Sequence, residues 1–395
     1  MRQVKYLIIG NGIAGLSAAK EIRKRDNDGS ILMISKEPYL TYYRPRLTEG
    51  LCKDMKVEDV LVNKSNWYEE KNIQVELNRN VEKIDVENNT VFLSKGEQVG
   101  YEKLLIATGS HPFVPPVKVN QDILALRTLD DLYYFKDCLE KWQTVTVVGG
   151  GLLGLEAAWS IKNLGKKVNI VEFAPYLLVK QLDEEISRKL EKRLIDEGFD
   201  IYLSSTVEEV LDDGTALLDG GRQIKTDGII YSIGVRPNLD LIRETGINFN
   251  KGIIVNEYLK TNVDNIYAAG DVIEMSGTVM GLWTLASEQG KVAGANMAGE
   301  KLEYSWPRPF TMLKLGDIQV FSVGDIKDYD KVYETKESDS KHHKLFAKNG
   351  KLVGGILFGD TKDMGKLKKA VLNGEDVETY IKGRSEERRV GKECR

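Results

Sequence analysis

The hydrophobic pattern of this chain alternates short apolar runs with glycine turns and helix-forming segments. The runs at 4–9, 31–35, 144–148 and 167–171 are short and mainly apolar. Runs of this length bounded by turn residues are typical of buried parallel strands. Those at 4–9 and 144–148 each lead through a glycine turn into a helical stretch. The pattern predicts an α/β protein, and 395 residues are enough for two or three domains.

The first apolar run ends in a glycine fingerprint. Gly10, Gly12 and Gly15 have the GxGxxG spacing, with Ala14 inside the turn. This spacing permits a tight turn, close approach of backbone to a pyrophosphate, and close packing of helix on strand. Glu37 follows the next strand at about the 20-residue offset expected of a carboxylate that binds ribose hydroxyls. A solvated loop carboxylate is the alternative interpretation of Glu37.

The same spacing recurs at the third apolar run. Gly149, Gly151 and Gly154 repeat the fingerprint, with Leu153 between the last two glycines. The following strand ends in Glu172, and a carboxylate there binds a free 2′-hydroxyl and repels the 2′-phosphate of NADP. The sequence therefore predicts two dinucleotide sites, the second of which prefers NADH to NADPH.

Composition narrows the function classes. The chain has a net charge of −4, so it is not suited to nucleic acid, and it has no apolar run of the roughly 18 residues that a membrane span needs. Its amino end leads directly into the first strand, which favours a cytoplasmic location. The chain has three histidines, which are few for a multi-histidine metal site or a Ser-His-Asp triad. His342 and His343 would bind a metal only if other ligands converged on them. No metal is predicted.

The carboxyl end and the cysteines affect the interpretation of redox chemistry. Residues 384–395 break from the preceding composition, and we interpret them as a translated sequencing-adapter oligonucleotide, or else a charged solvated tail. Their five basic and three acidic residues leave the remaining chain at −6. Without Cys394, only Cys52 and Cys138 remain, in no CxxC or CxxxxC arrangement. Both are expected to be buried apolar residues, not a redox pair.

Two further segments carry a resemblance to a family. The stretches 101–109 and 261–271 resemble motifs of the two-dinucleotide flavoprotein reductases, within the pyridine nucleotide-disulphide oxidoreductase family. In that family the chain enters an FAD domain, inserts an NAD domain and returns to complete the FAD domain. The resemblance assigns the first fingerprint to FAD and the second to NADH. It adds to the FAD site Ala107, Thr108, Gly109, Gly270 and Asp271. By the resemblance, Asp271 would hold the ribityl chain, and residues 107–109 would form the link between the two domains.

The resemblance also assigns residues to the NAD side. The stretch 233–238, with Gly234, would mark the return crossing. Glu156 resembles a family glutamate close to the nicotinamide, and a helix-start carboxylate favoured by the dipole is the competing interpretation. The helix predicted over 281–297 would begin near the flavin, where its amides stabilise negative charge.

The segment 39–49 lacks the cysteines through which many family members pass electrons. The flavin-facing position falls near Arg44 or Pro45, and Cys52 lies too far along the chain. Arg44 would contact FAD phosphate or flavin, with a surface Arg-Pro turn as the alternative. The Tyr-Tyr-Arg-Pro-Arg-Leu run resembles the NADH:rubredoxin oxidoreductases, and more distantly oxygenase ferredoxin reductases and the flavin module of nitrite reductase. The match covers residues 1 to 383.

The resulting fold prediction has two Rossmann-like three-layer domains and a small α+β carboxyl-terminal domain. The FAD domain covers 1–111 and 232–303, the NAD domain 112–231, and an interface domain 304–383, with Pro307 and Pro309 at its start. The tail is 384–395. In the last domain we expect a hairpin with Asn349-Gly350 as its turn and helices over 362–372 and 376–382.

The predicted activity is hydride transfer from NADH to FAD, followed by electron transfer to a small one-electron carrier such as rubredoxin. No catalytic residue beyond those that position the flavin is expected, the candidates being Arg44, Pro45 and Glu156. The alternatives are a thiol- or peroxide-reducing flavoenzyme that uses Cys52, and a non-enzymatic module that senses redox state through FAD and NADH. The chain is expected to be a monomer or homodimer.

Overall fold

The computed structural model describes residues 1–116, 118–119, 123–306 and 308–383; Pro307 and the tail at 384–395 lie outside the described residues. The chain divides into two compact units. Unit 1 contains residues 1–113, 127–133 and 234–305, and unit 2 contains the remainder. The helix Leu129–Lys141 contributes residues to both. The three-domain division predicted from sequence stays a prediction.

A seven-stranded sheet forms the centre of unit 1. Its parallel part places the strand Arg2–Ile9 between two neighbours, and short apolar strands are buried along it. The order across the sheet is Ile73–Glu76, Ile31–Ile34, Arg2–Ile9, Gln98–Ile106, Thr90–Leu93 and Val81–Asp85, and Ile266–Ala268 pairs in parallel with Gln98–Ile106. Thr90–Leu93 pairs in antiparallel orientation with Gln98–Ile106, and Val81–Asp85 pairs in antiparallel orientation with Thr90–Leu93.

Two long helices pack together in unit 1. The first fingerprint helix, Ile13–Arg25, lies against the helix Trp283–Met297. Gly290 and Gly294 permit the close approach of the two helices. A Cβ added at Gly290 would lie 2.2 Å from Ala14 O, and one added at Gly294 would lie 2.4 Å from Ala18 O. The shorter helical segments are Arg44–Arg46, Leu47–Gly50, Val57–Val60, Ser65–Glu70, Ser94–Gly96 and Asp240–Ile242. Two small sheets of two strands pair Ser110–Pro112 with Val235–Pro237 and Ile253–Ile254 with Ile273–Glu274.

Unit 2 is built on a five-stranded parallel sheet. Its order is Asp200–Leu203, Lys167–Glu172, Thr144–Val148, Gly228–Tyr231 and Ile123–Leu124. The second fingerprint helix, Leu152–Asn163, follows Thr144–Val148, and the helix Glu184–Asp196 follows Lys167–Glu172. A four-stranded sheet of Gln223–Lys225, Thr215–Leu218, Val207–Val210 and Lys118–Val119 packs in the same core, and the segment Asp219–Gly221 forms a 3-10 turn.

The carboxyl-terminal sheet of unit 2 is antiparallel throughout. Its order is Phe310–Leu315, Ile318–Gly324, Lys351–Phe358, Lys341–Lys348 and Lys331–Ser338. Asn349 and Gly350 have φ of 51° and 75°, which the predicted hairpin turn requires. The helix Met364–Asn373 covers one face of the sheet and residues 377–383 are helical, as the pattern predicts.

Buried ionic contacts hold this sheet to the helix Glu184–Asp196. Lys344 is 5% exposed, and its ammonium lies 2.6 Å from Asp183, 2.7 Å from Glu185 and 3.2 Å from Glu334. These carboxylates raise the pKa of Lys344 even though burial lowers it. Because a buried ammonium is costly unless it is paired, the carboxylates fix how the sheet sits on this helix.

Candidate functional site

The glycine turn of unit 1 has one face closed by backbone and one face open. Gly10 has φ of +114°, and an added Cβ would lie 2.1 Å from Ala107 O. The Cβ of a residue replacing Gly15 would lie 2.1 Å from Gly10 O. At Gly12 an added Cβ would meet no described atom within 4 Å. Gly10 and Gly15 therefore serve the tight packing, and Gly12 keeps backbone open at a helix amino terminus, where a pyrophosphate fits.

Glu37 and Arg44, both predicted to contact the first cofactor, lie together. The guanidinium Nη2 of Arg44 donates to Glu37 Oε1, and Tyr42 OH donates to Glu37 Oε2 at 2.6 Å. Arg44 also donates to Arg127 O at 2.8 Å. Burial lowers the pKa of Arg44, but Tyr42 and Glu37 outweigh it and raise that pKa. This network holds the Glu37 carboxylate at the carboxyl end of the strand Ile31–Ile34, the edge at which such sheets bind ligands.

Asp271 is held by two residues that the sequence did not single out. Arg127 Nη2 donates to Asp271 Oδ2 at 2.8 Å and Ser110 Oγ donates to the same oxygen at 2.9 Å. The Asp271 side chain is 13% exposed. Gly270 adopts φ of +89°, and its amide donates to Gln289 Oε1 at 2.9 Å. A largely buried, oriented carboxylate thus stands three residues after the end of the strand Ile266–Ala268.

The predicted link between domains meets the return segment within unit 1. Asn238 Nδ2 donates to Thr108 O at 2.8 Å, and the Asn238 amide donates to Gly109 O at 3.0 Å. Ala107 closes the turn against Gly10, as described above. Gly234 has φ of +104° and lies in unit 1, whereas the other predicted NAD residues lie in unit 2. Asn238 is therefore the residue that ties the link to the return segment.

Two aromatic side chains meet at the start of the helix Trp283–Met297. The rings of Tyr43 and Trp283 stack with centroids 5.2 Å apart. The indole Nε1 of Trp283 is buried and has no hydrogen-bond partner among the described residues. Pro45, two positions after Tyr43, is exposed. Tyr43 lies in the Tyr-Tyr-Arg-Pro-Arg-Leu run, but Trp283 lies in no motif, so the sequence contained no signal for the contact between them.

The glycine turn of unit 2 repeats the first. Gly149 has φ of +119°, and an added Cβ would lie 2.3 Å from Ser232 O. At Gly154 it would lie 2.0 Å from Gly149 O, and at Gly151 it would meet no described atom within 4 Å. Gly151, with its open backbone, is the N-cap of the second fingerprint helix, so this turn also fits a pyrophosphate.

Glu172 is tied to this turn. Its Oε2 accepts from the Gly150 amide at 2.5 Å and its Oε1 accepts from the Ala174 amide at 2.7 Å. The carboxylate therefore holds the glycine turn to the segment that follows the strand Lys167–Glu172. Leu153 is 51% exposed at the helix start, and Glu156 is half-buried one turn later.

No disulfide joins the described cysteines, Cys52 and Cys138. Cys52 is half-buried, and its Sγ donates to Glu49 O at 3.6 Å. Cys138 is buried. Cys52 is the one cysteine of unit 1, so that unit cannot form an internal disulfide.

One group of described side chains has the composition of a metal site. Ligand atoms of Glu185, Glu334 and His342 lie within 4.8 Å of one another. The Lys344 ammonium already contacts both glutamates there and supplies the positive charge. We therefore interpret the group as an ion-pair cluster. Separately, across the described residues, no helix combines the length and apolar character that crossing a bilayer requires.

Comparison with known proteins agrees with this geometry. Residues 4–290 match the family described as pyridine nucleotide-disulphide oxidoreductase, and residues 309–375 match the rubredoxin NAD+ reductase C-terminal domain. The NADH-rubredoxin oxidoreductase of Clostridium acetobutylicum is 38% identical over 94% of this chain and 95% of its own length. The crystal structure of the NADH:rubredoxin oxidoreductase from that organism matches with a TM-score of 0.81 at 35% identity, covering 95% of this chain and 96% of that one.

A larger enzyme is also similar. The nitrite reductase (NAD(P)H) of Bacillus subtilis is 34% identical over 95% of this chain, which spans 48% of that protein. The fold class and the enzyme class predicted from sequence are confirmed by these matches together. The chain therefore belongs to the pyridine nucleotide-disulphide oxidoreductase family, as an oxidoreductase whose cofactors are FAD and NADH.

Proposed function

We propose that the chain takes hydride from NADH onto FAD and passes electrons singly to a small carrier protein, with rubredoxin as the carrier. The observation that carries the proposal is the pair of open glycine turns, at Gly12 in unit 1 and Gly151 in unit 2. Each has backbone amides at a helix amino terminus and a carboxylate at the end of the next strand. Two such turns accommodate two dinucleotides, the minimum for nicotinamide-to-flavin transfer.

The first turn is assigned to FAD and the second to NADH. In unit 1, Glu37, Arg44, Arg127 and Asp271 form a chain of contacts that an extended dinucleotide could follow. Arg44 is placed to contact a phosphate or the flavin, because guanidinium suits bidentate contact with phosphate. In unit 2 the Glu172 carboxylate disfavours a 2′-phosphate, which supports NADH over NADPH.

The carrier assignment is supported by the cysteine geometry and by similarity. A bound flavin accepts a hydride and releases electrons one at a time, so no thiol is needed for a one-electron acceptor. Cys52 donates to a backbone carbonyl and has no second cysteine in its unit. The relative with nearly full-length coverage is named NADH-rubredoxin oxidoreductase, and residues 309–375 match a rubredoxin reductase domain.

Steady-state NADH oxidation against a panel of acceptors tests the proposal. We expect rapid turnover with rubredoxin and with ferricyanide, and slow turnover with disulfides and peroxide. Cys52→Ser is expected to leave rubredoxin turnover unchanged, and Cys138→Ser is its matched control. Loss of turnover in Cys52→Ser alone would support the thiol route. A long-lived reduced state that no acceptor reoxidises would support the redox-sensing module.

A further inference from the structure

The side chain of Phe173 is the most exposed large hydrophobic group among the described residues, at 78%. Single exposed apolar side chains are common, so exposure alone assigns no role. Its position is more specific. Phe173 directly follows Glu172, the last residue of the strand Lys167–Glu172, at the carboxyl edge of the parallel sheet. Ligands of such sheets bind outside the carboxyl ends of the strands.

The backbone that carries Phe173 is fixed on both sides. The Ser204 amide donates to Ala174 O at 3.0 Å, and the Ser205 amide donates to Glu172 O at 3.0 Å. On the other side, the Glu172 carboxylate accepts from the amides of Gly150 and Ala174. Because this backbone is anchored, stacking of a ligand on the ring would restrict mainly the side-chain torsions of Phe173.

The order of features along this edge matches the order of groups in the adenylate half of NADH. The open backbone at Gly151 suits the pyrophosphate, and Glu172 suits the ribose. Phe173 is next in line, where a planar base would lie. Val148 pairs with Val171 in the sheet register, so the glycine turn and the segment after Glu172 emerge side by side.

We propose that Phe173 is the platform on which the adenine of NADH stacks, and hence a positioning residue for nucleotide binding. The proposal rests on the assignment of NADH to the second fingerprint made above. A phenyl face accepts an adenine ring by stacking without hydrogen bonds, so it adds affinity but no chemistry. Its removal is therefore expected to weaken binding and leave hydride transfer unchanged.

The test uses the full, FAD-loaded chain with Phe173→Ala, Phe173→Tyr and the control Phe249→Ala, another exposed phenylalanine. The first readout is calorimetric titration with ADP-ribose, which contains the adenine but no nicotinamide. Phe173→Ala is expected to raise its Kd by about 5- to 100-fold, from the usual strength of base–aromatic stacking. Phe173→Tyr should restore the wild-type value, and Phe249→Ala should match wild type.

The second readout is flavin bleaching by NADH and by reduced nicotinamide mononucleotide, which lacks adenosine. In Phe173→Ala the NADH concentration at half-maximal rate should rise while the limiting rate, and the response to the mononucleotide, stay unchanged. Unchanged ADP-ribose affinity, or equal loss with both nucleotides, overturns the proposal. A change only in self-association or carrier affinity also overturns it, because Phe173 would then belong to a protein interface. Failure of the wild-type chain itself to bind ADP-ribose or react with NADH would instead defeat the proposed function, and this proposal with it.

Discussion

Arg127 donates a hydrogen bond to Asp271 at 2.8 Å, joining residues 144 positions apart in sequence. The side chains of Arg127 and Asp271 are 24% and 13% exposed. The same Arg127 nitrogen donates to Ser110 Oγ, so the arginine orients both groups beside the strand end. Asp271 is the residue assigned to the ribityl chain, and Arg127 is the cation that fixes its carboxylate.

Removal of the Arg127 guanidinium should therefore weaken FAD binding. Arg127→Met keeps an unbranched apolar stem but leaves Asp271 without its charged donor. Loss of a hydrogen bond to a charged group costs about 1.5–3 kcal/mol, so the Kd for FAD should rise roughly 10- to 100-fold. FAD retention on dilution measures this, with Arg79→Met as the control because Arg79 pairs with Glu97 in the same unit. Equal retention in both variants would show that Arg127 does not act on FAD.

Alanine substitutions at Gly10 and Gly12 in the first turn should have different effects. Gly10→Ala places Cβ against Ala107 O in a positive-φ conformation, so it should lower the free energy of unfolding by at least about 1–3 kcal/mol. Gly12→Ala meets no described atom, so the chain should fold but bind FAD poorly. Urea unfolding and FAD content together measure the two effects. A Gly12→Ala chain that keeps full FAD would contradict the pyrophosphate assignment.

Glu172 should set the nucleotide preference. Glu172→Arg replaces a carboxylate that repels a 2′-phosphate, so the ratio of kcat/KM for NADPH to that for NADH should rise by about tenfold or more. Absolute NADH activity should fall as well, because the Gly150 and Ala174 amides lose their acceptor. Glu172→Gln keeps an acceptor and should show an intermediate ratio. Glu208→Arg, on an exposed strand position, is the control, and an unaltered ratio in Glu172→Arg would refute this role.

His342 should make the carboxyl-terminal sheet sensitive to mild acid. The ring is fully buried, Lys189 Nζ lies 3.0 Å from Nδ1, and Glu334 lies 3.4 Å from Nε2. Burial lowers the pKa of His342, and Lys189 lowers it further; Lys344 acts in the same direction, whereas Glu185 and Glu334 oppose it.

The folded chain thus holds His342 neutral, while the unfolded chain titrates near pH 6.5. The stability from His342 is complete above about pH 6.5 and declines as pH falls toward the lower folded pKa. The protection factors of the amides in Lys341–Lys348, which are exchange rates corrected for the intrinsic rate at each pH, should fall from about pH 7 to pH 5, and His342→Gln should flatten that dependence. His111→Gln, at an exposed histidine, should keep the wild-type profile. An identical acid response in His342→Gln would assign the sensitivity to other groups.

The sequence predicted features whose cause is local. Glycine spacing, the apolar run before it and the carboxylate at the end of the next strand lie within one strand-helix-strand unit, so the sequence predicts both turns. The hairpin at Asn349-Gly350 was foreseen for the same reason, because its turn residues tolerate positive φ.

Long-range contacts left no such signal. Arg127 lies far from Asp271 in sequence, and one arginine among many has no distinctive pattern. The pairing of Arg44 with Glu37 could not be read from spacing, although each residue was singled out. Lys344 and Asp183 likewise meet only because a sheet packs on a distant helix.

Anaerobic stopped-flow measurement of the FAD-loaded chain tests the central claim most directly. Mixing with one equivalent of NADH per flavin should bleach the flavin in one phase that slows when the transferred hydrogen of NADH is deuterium. A second mixing with oxidised rubredoxin should restore the flavin and reduce about two equivalents of carrier per flavin, because two electrons leave singly. A flavin that NADH does not bleach, or that rubredoxin does not reoxidise, would contradict the account.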